Sequence, residues 1–221
     1  VSDHIDLRGQ LGPVRDQGRR GTCLSFAATA CHEQARRRRR GALPAELGEE
    51  ILYWACKQID GDTAAGSYPR SAAQALTDTG QSAGALWPYD GARDDTAAAY
   101  TPPSEALAAA NMRRGTLRSV AREIDEIREL LRRAHALMMA LELWRGFYAA
   151  HEGALELPAQ ADLLGVGHAV AVVGFDDDAQ ELLLRNSWGQ TWGDGGYGRL
   201  PYAALRVVCR GVWRLEDDLD V

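Results

Sequence analysis

The spacing of apolar residues changes character across the Pro102-Pro103 pair, and that change constrains the fold more than any other feature of the sequence. On the N-terminal side, Cys23 to Arg39 places Phe26, Ala27, Ala30 and Cys31 three and four apart, which predicts a helix. The arginine run Arg36–Arg40, followed by Gly41 and Pro44, predicts its end as a solvated terminus, with a docking patch for an acidic partner as the lesser alternative. Ala45 to Ile59 reads as a second helix with Leu47, Ile51, Trp54 and Ala55 on one face, and Tyr68 to Gly80 as a third, capped by Gly80. Beyond the proline pair one more helix, Arg122 to Ala134, is surrounded by strand-like runs: TLRSVA, HALMMALEL, HAVAVVGF and ELLLRNSW. Helices first and strands afterwards predict an α+β architecture, two lobes with a cleft between them.

At 221 residues the chain is long enough for such lobes to share a sizeable core. Its formal charge of −6 argues against nucleic acid or an anionic membrane as partner. No apolar run approaches the ~20 residues that span a bilayer, and no signal-peptide pattern opens the chain. Val1 at the first position leaves room for a removed leader, propeptide or tag. Four cysteines without Cys-x-x-Cys spacing or a histidine cluster predict neither a disulfide scaffold nor a zinc site. Cys31, Cys56 and Cys209 read as buried, inert thiols.

Cys23 has different surroundings. It opens the first helix, behind Gln17, Gly18 and Gly21. A helix N-terminus favours the thiolate through unpaired N–H groups, and an imidazole in reach does so further. His168 heads a buried strand in GVGHAVAVVGF, and Asn186 precedes Trp188 in RNSWGQTWGDGGYGRL. An asparagine oxygen accepting the ring N–H fixes the tautomer of a catalytic histidine. The backbone N–H of Cys23 and the side-chain amide of Gln17 are the candidate donors to an oxyanion, with the two glycines allowing the chain to fold back. His4, His32, His135 and His151 lack such company and read as surface or packing residues, and neither Glu33 nor Glu142 forms a paired-carboxylate site.

Together PVRDQGRRGTCLSFA, GVGHAVAVVGF and RNSWGQTWGDGGYGRL resemble the nucleophile, histidine and asparagine segments of the papain-like (C1) cysteine peptidases. His168 lies 145 residues after Cys23, within the roughly 130–150 usual for that family, and Asn186 163 after it, a little beyond. The resemblance implies one catalytic domain over 1–221: a helical lobe at about 14–104, a β-barrel-like antiparallel lobe at about 105–203, and strapping segments at 1–13 and 204–221. It implies Cys23 as nucleophile, His168 as acid/base, Asn186 as orienting residue, Gln17 as oxyanion donor and Trp188 as a shield over the His–Asn bond. Gly66 and Ser67 would pair with an extended peptide. Tyr68, Pro69, Val166, Gly167 and Ala169 would wall the subsite for the second residue before the scissile bond, with an apolar preference.

The implied activity is hydrolysis of peptide bonds through a thioester acyl-enzyme, without metal or organic cofactor. The implied partners are a peptide or protein substrate, together with an inhibitory propeptide or a larger host polypeptide. Acyl transfer to an acceptor other than water, amide hydrolysis of a small molecule, and a non-cleaving peptide-binding fold stay open as alternatives. The chain departs from the family at Leu24, where an aromatic residue is usual, and at Arg20, the place of a half-cystine whose partner near Gly66 and Ser67 is also missing. The absent disulfides lean towards a reducing, cytoplasmic compartment, or else towards a bacterial-style member that does without the bonds. Arg19 and Arg20 read as ordinary exposed arginines, or else as charge favouring the thiolate. Trp144 to Leu164 is longer than catalysis requires, and either restricts the cleft or contacts a partner.

Overall fold

A computed structural model describes residues 3–41, 46–96 and 99–218. Pro44, one of the expected stop signals, lies outside these residues. The chain runs β1 (His4–Asp6), α1 (Cys23–Arg40), α2 (Glu49–Asp60), α3 (Pro69–Asp78), α4 (Ser104–Ala110), β2 (Gly115–Val120) and α5 (Ile124–Arg132). It continues with β3 (Leu137–Trp144), α6 (Arg145–Tyr148), β4 (Leu163–Asp176), β5 (Glu181–Arg185), β6 (Tyr197–Pro201), α7 (Leu205–Val208) and β7 (Cys209–Asp217). The expected helices on both sides of the proline pair and all four expected strands are therefore present, whereas β1, β6 and β7 carried too little alternation to be read in advance.

α1 runs between the helices and the sheet, packed against α2 on one side and β3, β4 and β7 on the other. Its small residues Ala27, Ala28, Cys31 and Ala35 let the strands approach closely. The apolar stripe expected of a surface helix is only part of the outcome. Ser25, Thr29, His32, Glu33, Gln34 and Arg36 are buried too, and polar groups in such a place need partners. His32 lies between the Gln81 Oε1 (2.8 Å) and Asp217 Oδ1 (3.2 Å), and Arg36 donates to Asp217 Oδ1 at 2.8 Å. The arginine run is thus solvated only in its later part, while its first member is core. Gly41 ends the helix in the left-handed region, its N–H bonded to the Arg37 carbonyl at 2.8 Å.

The second lobe departs from expectation in one respect. Its strands form an antiparallel sheet in the order β2-β7-β3-β4-β5-β6, with β1 added beside the far end of β4. Closure into a barrel would require the outer strands β2 and β6 to pair with each other, and they do not. Other parts of the chain occupy those edges. β2 lies against α3. The outer edge of β6 is taken by the stretch around Ala154, through Leu155 N to Arg199 O (3.0 Å) and Arg199 N to Gly153 O (2.6 Å). The lobe is an open twisted sheet, not a barrel.

Candidate active site

The nucleophile segment is held against the asparagine segment before it reaches α1. Gln17 N donates to Ser187 O at 2.8 Å, Gly189 N to Arg15 O at 3.2 Å, and Asp16 bridges Trp188. Gly18 then turns at φ +61°, which an L side chain rarely adopts. Gly21 lies against another stretch of backbone, where a Cβ would come within 2.5 Å of Gly66 N. The two glycines therefore have separate reasons: one shapes the turn, the other admits the strand opposite.

α1 starts at Cys23 with no side-chain cap. The hydroxyl of Thr22, which in many helices would cap the first turn, instead faces the Tyr89 hydroxyl at 2.7 Å. Tyr89 also donates to Gln17 O at 2.7 Å and stands edge-on to Phe26, so one loop tyrosine ties residue 17 to residue 22. The first-turn N–H groups are left for the thiol. Burial nonetheless pushes the Cys23 thiol up, and the backbone N–H groups of Ala169, Leu24 and Cys23 itself pull the other way without overcoming it.

His168 enters from β4, opposite Leu141 of β3. The register that sets Ala171 opposite Arg185 carries the chain on to Asn186 beside the same part of β4. His168 Nε2 and Asn186 Oδ1 are 2.7 Å apart. The orientation of the Asn186 amide follows from its neighbour: Ser187 N–H can only donate, and it meets the same atom at 2.8 Å, which must be the oxygen. The ring therefore donates from Nε2, which leaves Nδ1 as the nitrogen free to take or give a proton. Burial pulls the His168 ring down to about 4, against the upward pull of the Asn186 hydrogen bond. Burial thus opposes charge on both the thiol and the ring.

An aromatic cluster accounts for that burial. Trp188 lies 4.8 Å from the His168 ring and Phe147 stands edge-on to it at 5.6 Å, while Tyr148 stacks on the outer face of Trp188. Trp192 Nε1 fixes Phe147 by donating to its carbonyl at 2.9 Å. Phe147 and Tyr148 belong to the long 144–164 segment, whose purpose the sequence left open. Here it covers the His–Asn pair and the edge of β6. Only the aromatic spacing around Phe147 hinted at such a role.

Gln17 is pinned at both ends of its amide. Nε2 donates to Arg20 O at 2.7 Å, and Oε1 accepts from Ser187 Oγ at 2.5 Å. One N–H remains on Nε2 for a further acceptor. Arg20, read as an exposed residue, is buried instead. Its guanidinium makes a two-pronged pair with Glu50 at 2.8 and 2.9 Å and also reaches Asp95, the Asp90 carbonyl and Tyr100. Glu50 in α2 was the missing signal: a carboxylate on a buried helix face needs a cation.

Cys23 and His168 both border a cavity of about 320 Å³. Gly66, Ser67, Tyr68 and Pro69 form one wall; Gly167, Ala169, Ala140 and Leu141 form the other. Val166 does not line it and is exposed. Charge was not expected here, yet Lys57, Asp62 and Arg210 also border the space. Each is paired, Arg210 with Glu142 and Lys57 with Asp62. The four cysteines are all free, with Cys31, Cys56 and Cys209 buried.

Comparison with known proteins places the chain in a family. Among curated proteins, the chain is 27% identical over 206 residues to a cathepsin L-like peptidase of Aedes aegypti, covering 90% of this chain and 59% of that one. It is 25% identical over 210 residues to ananain of Ananas comosus, covering 90% and 56%. The chain thus spans little more than half the length of these relatives. Among solved structures, xylellain, a cysteine protease from Xylella fastidiosa, superposes with a TM-score of 0.87 at 24% identity, covering 96% of this chain and 85% of that one. The bromelain protease from Ananas comosus, in complex with the E64 inhibitor, does so at 0.74 and 24%, covering 99% and 100%. The family described as papain family cysteine protease matches residues 1–209, nearly the whole chain, and to that family this chain belongs.

Proposed function

We propose that this chain is a thiol endopeptidase that hydrolyses extended peptide segments through an acyl-enzyme. The observation that carries the reading is that Cys23, at an uncapped helix start, borders the same cavity as a histidine whose tautomer Asn186 fixes at 2.7 Å. In the proposed reaction the Cys23 sulfur attacks the scissile carbonyl carbon as its proton passes to His168 Nδ1. Negative charge gathers on the carbonyl oxygen, where the spare N–H of Gln17 and the backbone N–H of Cys23 are its donors. His168 returns the proton to the departing amine, and the C–N bond breaks, leaving a thioester. Water then attacks the thioester with His168 as base; the C–S bond breaks and the thiol is restored.

Burial opposes charge on the thiol and on the ring, so the proton passes from one to the other as the sulfur attacks. The neutral imidazole is then the competent base. Asn186 orients the ring, and Trp188 and Phe147 keep water from the hydrogen bond, which strengthens it in a lower dielectric. Gly66 and Ser67 are proposed to lie along the peptide. Tyr68, Pro69, Gly167 and Ala169 are proposed to receive an apolar side chain, since the charges at the rim are already paired. The lobe division at about 104, with the ends as straps, belongs to the same proposal. So do the partners, a peptide or protein substrate and an inhibitory segment or host polypeptide.

Mass spectrometry after treatment with a peptidyl epoxide tests the reading directly. We expect one adduct, on the peptide containing Cys23, and turnover of a fluorogenic extended peptide that Cys23→Ala abolishes without loss of fold. Labelling elsewhere, or turnover surviving in Cys23→Ala, would refute it.

A further inference from the structure

The loop joining α2 to the Gly66 wall has no disulfide to hold it. Cys56 is a free thiol, and residues 57–68 contain no cysteine. A single side chain gathers it instead. Lys57 Nζ donates to Asp62 Oδ1 at 2.6 Å, to Ala64 O at 2.8 Å and to Gly66 O at 3.2 Å, and lies 3.5 Å from Asp60 Oδ2. These acceptors fall at every second residue, so the loop wraps around the ammonium with alternate oxygens turned inward. The ends are secured too: Asp60 Oδ1 accepts from Ser71 Oγ of α3 at 2.6 Å, and Asp62 Oδ1 also accepts Ala64 N at 3.1 Å. The Lys57 side chain is only 9% exposed and that of Asp60 is fully buried, so neither charge is solvated in place of the other.

Gly66 is where this matters. Its backbone lies directly against Gly21, two residues before Cys23, with no side chain between them to absorb a shift. The position of its carbonyl is set by Lys57. We propose that Lys57 is the positioning residue of the substrate-facing segment, its ammonium gathering the loop that carries the Gly66–Ser67 backbone beside Gly21. The inference rests on the peptidase reading above for the identity of the segment's ligand, an extended peptide backbone. Lys57 does not touch the reacting atoms. It acts through Gly66, and its loss should therefore weaken peptide binding while leaving the thiol's reactivity alone.

The test separates these effects. In a Cys23→Ala background, the Kd of a fluorescent extended peptide is measured by anisotropy with Lys57 intact, Lys57→Met and Lys57→Arg. Methionine keeps a long apolar stem and removes the charge. With Cys23 present, the rate of alkylation by iodoacetamide, which uses no subsite, is measured for the same Lys57 variants. We expect Lys57→Met to raise Kd about 10- to 100-fold, the scale of lost charged hydrogen bonds. Lys57→Arg should recover part of this, and the alkylation rate should stay within about twofold, as expected when no group at the thiol changes. Asp62→Asn, at the solvated end of the loop, should shift Kd the same way by less, and decides the matter if Lys57→Met does not fold. An unchanged Kd in Lys57→Met, or in Asp62→Asn where the former is unfolded, overturns the inference; so does a matching loss of alkylation. Failure of the intact protein to cleave any peptide would count against the peptidase reading alone, since Kd is measured without turnover.

Discussion

Protonation of His168 is the point at which burial can be weighed against hydrogen bonding with a definite sign. The ring is pulled from its ordinary 6.5 down to about 4 by burial, and the Asn186 hydrogen bond alone opposes that. The difference corresponds to about 3.4 kcal/mol against placing a proton on the ring in its folded setting, at about 1.36 kcal/mol per tenfold. Because Cys23 borders the same cavity, the ring should be titrated in Cys23→Ala, which removes any coupling between the two. NMR of the His168 ring in that background should show a midpoint near 4. Adding Trp188→Ala opens the face 4.8 Å away to water and should raise the midpoint towards 6.5. Adding Asn186→Ala removes the one upward influence and should lower it. The sign for stability follows from linkage: the unfolded chain takes up the proton at 6.5 while the folded one refuses it until about 4. The contribution is thus present in full above 6.5 and is lost as pH falls from 6.5 to 4. His135, also pulled down to about 4, acts in the same direction, so the comparison is between Cys23→Ala with and without His168→Ala. If Trp188→Ala leaves the midpoint near 4 or moves it down, burial by the aromatic cluster is not what sets the ring, and the reasoning fails.

Other consequences are shorter to state. Gln17→Ala should lower kcat by about 10²–10³ with little change in KM, the size of one oxyanion donor; a near-normal kcat would remove Gln17 from that role. Arg20→Met leaves Glu50 fully buried with Tyr100, Asp90 N and, at 3.7 Å, Arg93 as its partners among the described residues. It should cost about 3–5 kcal/mol in denaturant unfolding, much of it restored by the double variant Arg20→Met/Glu50→Leu. Gly21→Ala puts a methyl within 2.5 Å of Gly66 N, a backbone atom that cannot rotate away. It should destabilise by about 1–3 kcal/mol and raise KM for peptides, and a wild-type KM would show that the strand is free to shift.

The helices before the proline pair were legible because their apolar faces follow the helical period closely, and the buried strands because they are continuous apolar runs. β7 was not, since CRGVWRLED mixes charge into a strand whose outward residues face solvent or α1's arginines. The barrel-like lobe failed for a related reason. Closure depends on what lies against the outer edges of β2 and β6, and those neighbours, α3 and the stretch around Ala154, come from distant parts of the chain. Arg20 shows the same limit at one residue. Its neighbours in sequence are Arg19 and Gly21, which suggest an exposed loop, whereas its partner is Glu50.

The residues proposed for the chemistry were already written in the chain, because a thiol, an imidazole and two amides are each recognisable by type and by the motif that holds them. Their states were not. How strongly burial opposes charge on the ring depends on how Phe147 and Trp188 pack against it, and the course of the loop to Gly66 depends on four oxygens closing around one ammonium. Burial and convergence of that kind arise only when segments far apart in sequence pack together, since electrostatic energies follow distance and hydration in space, not separation along the chain.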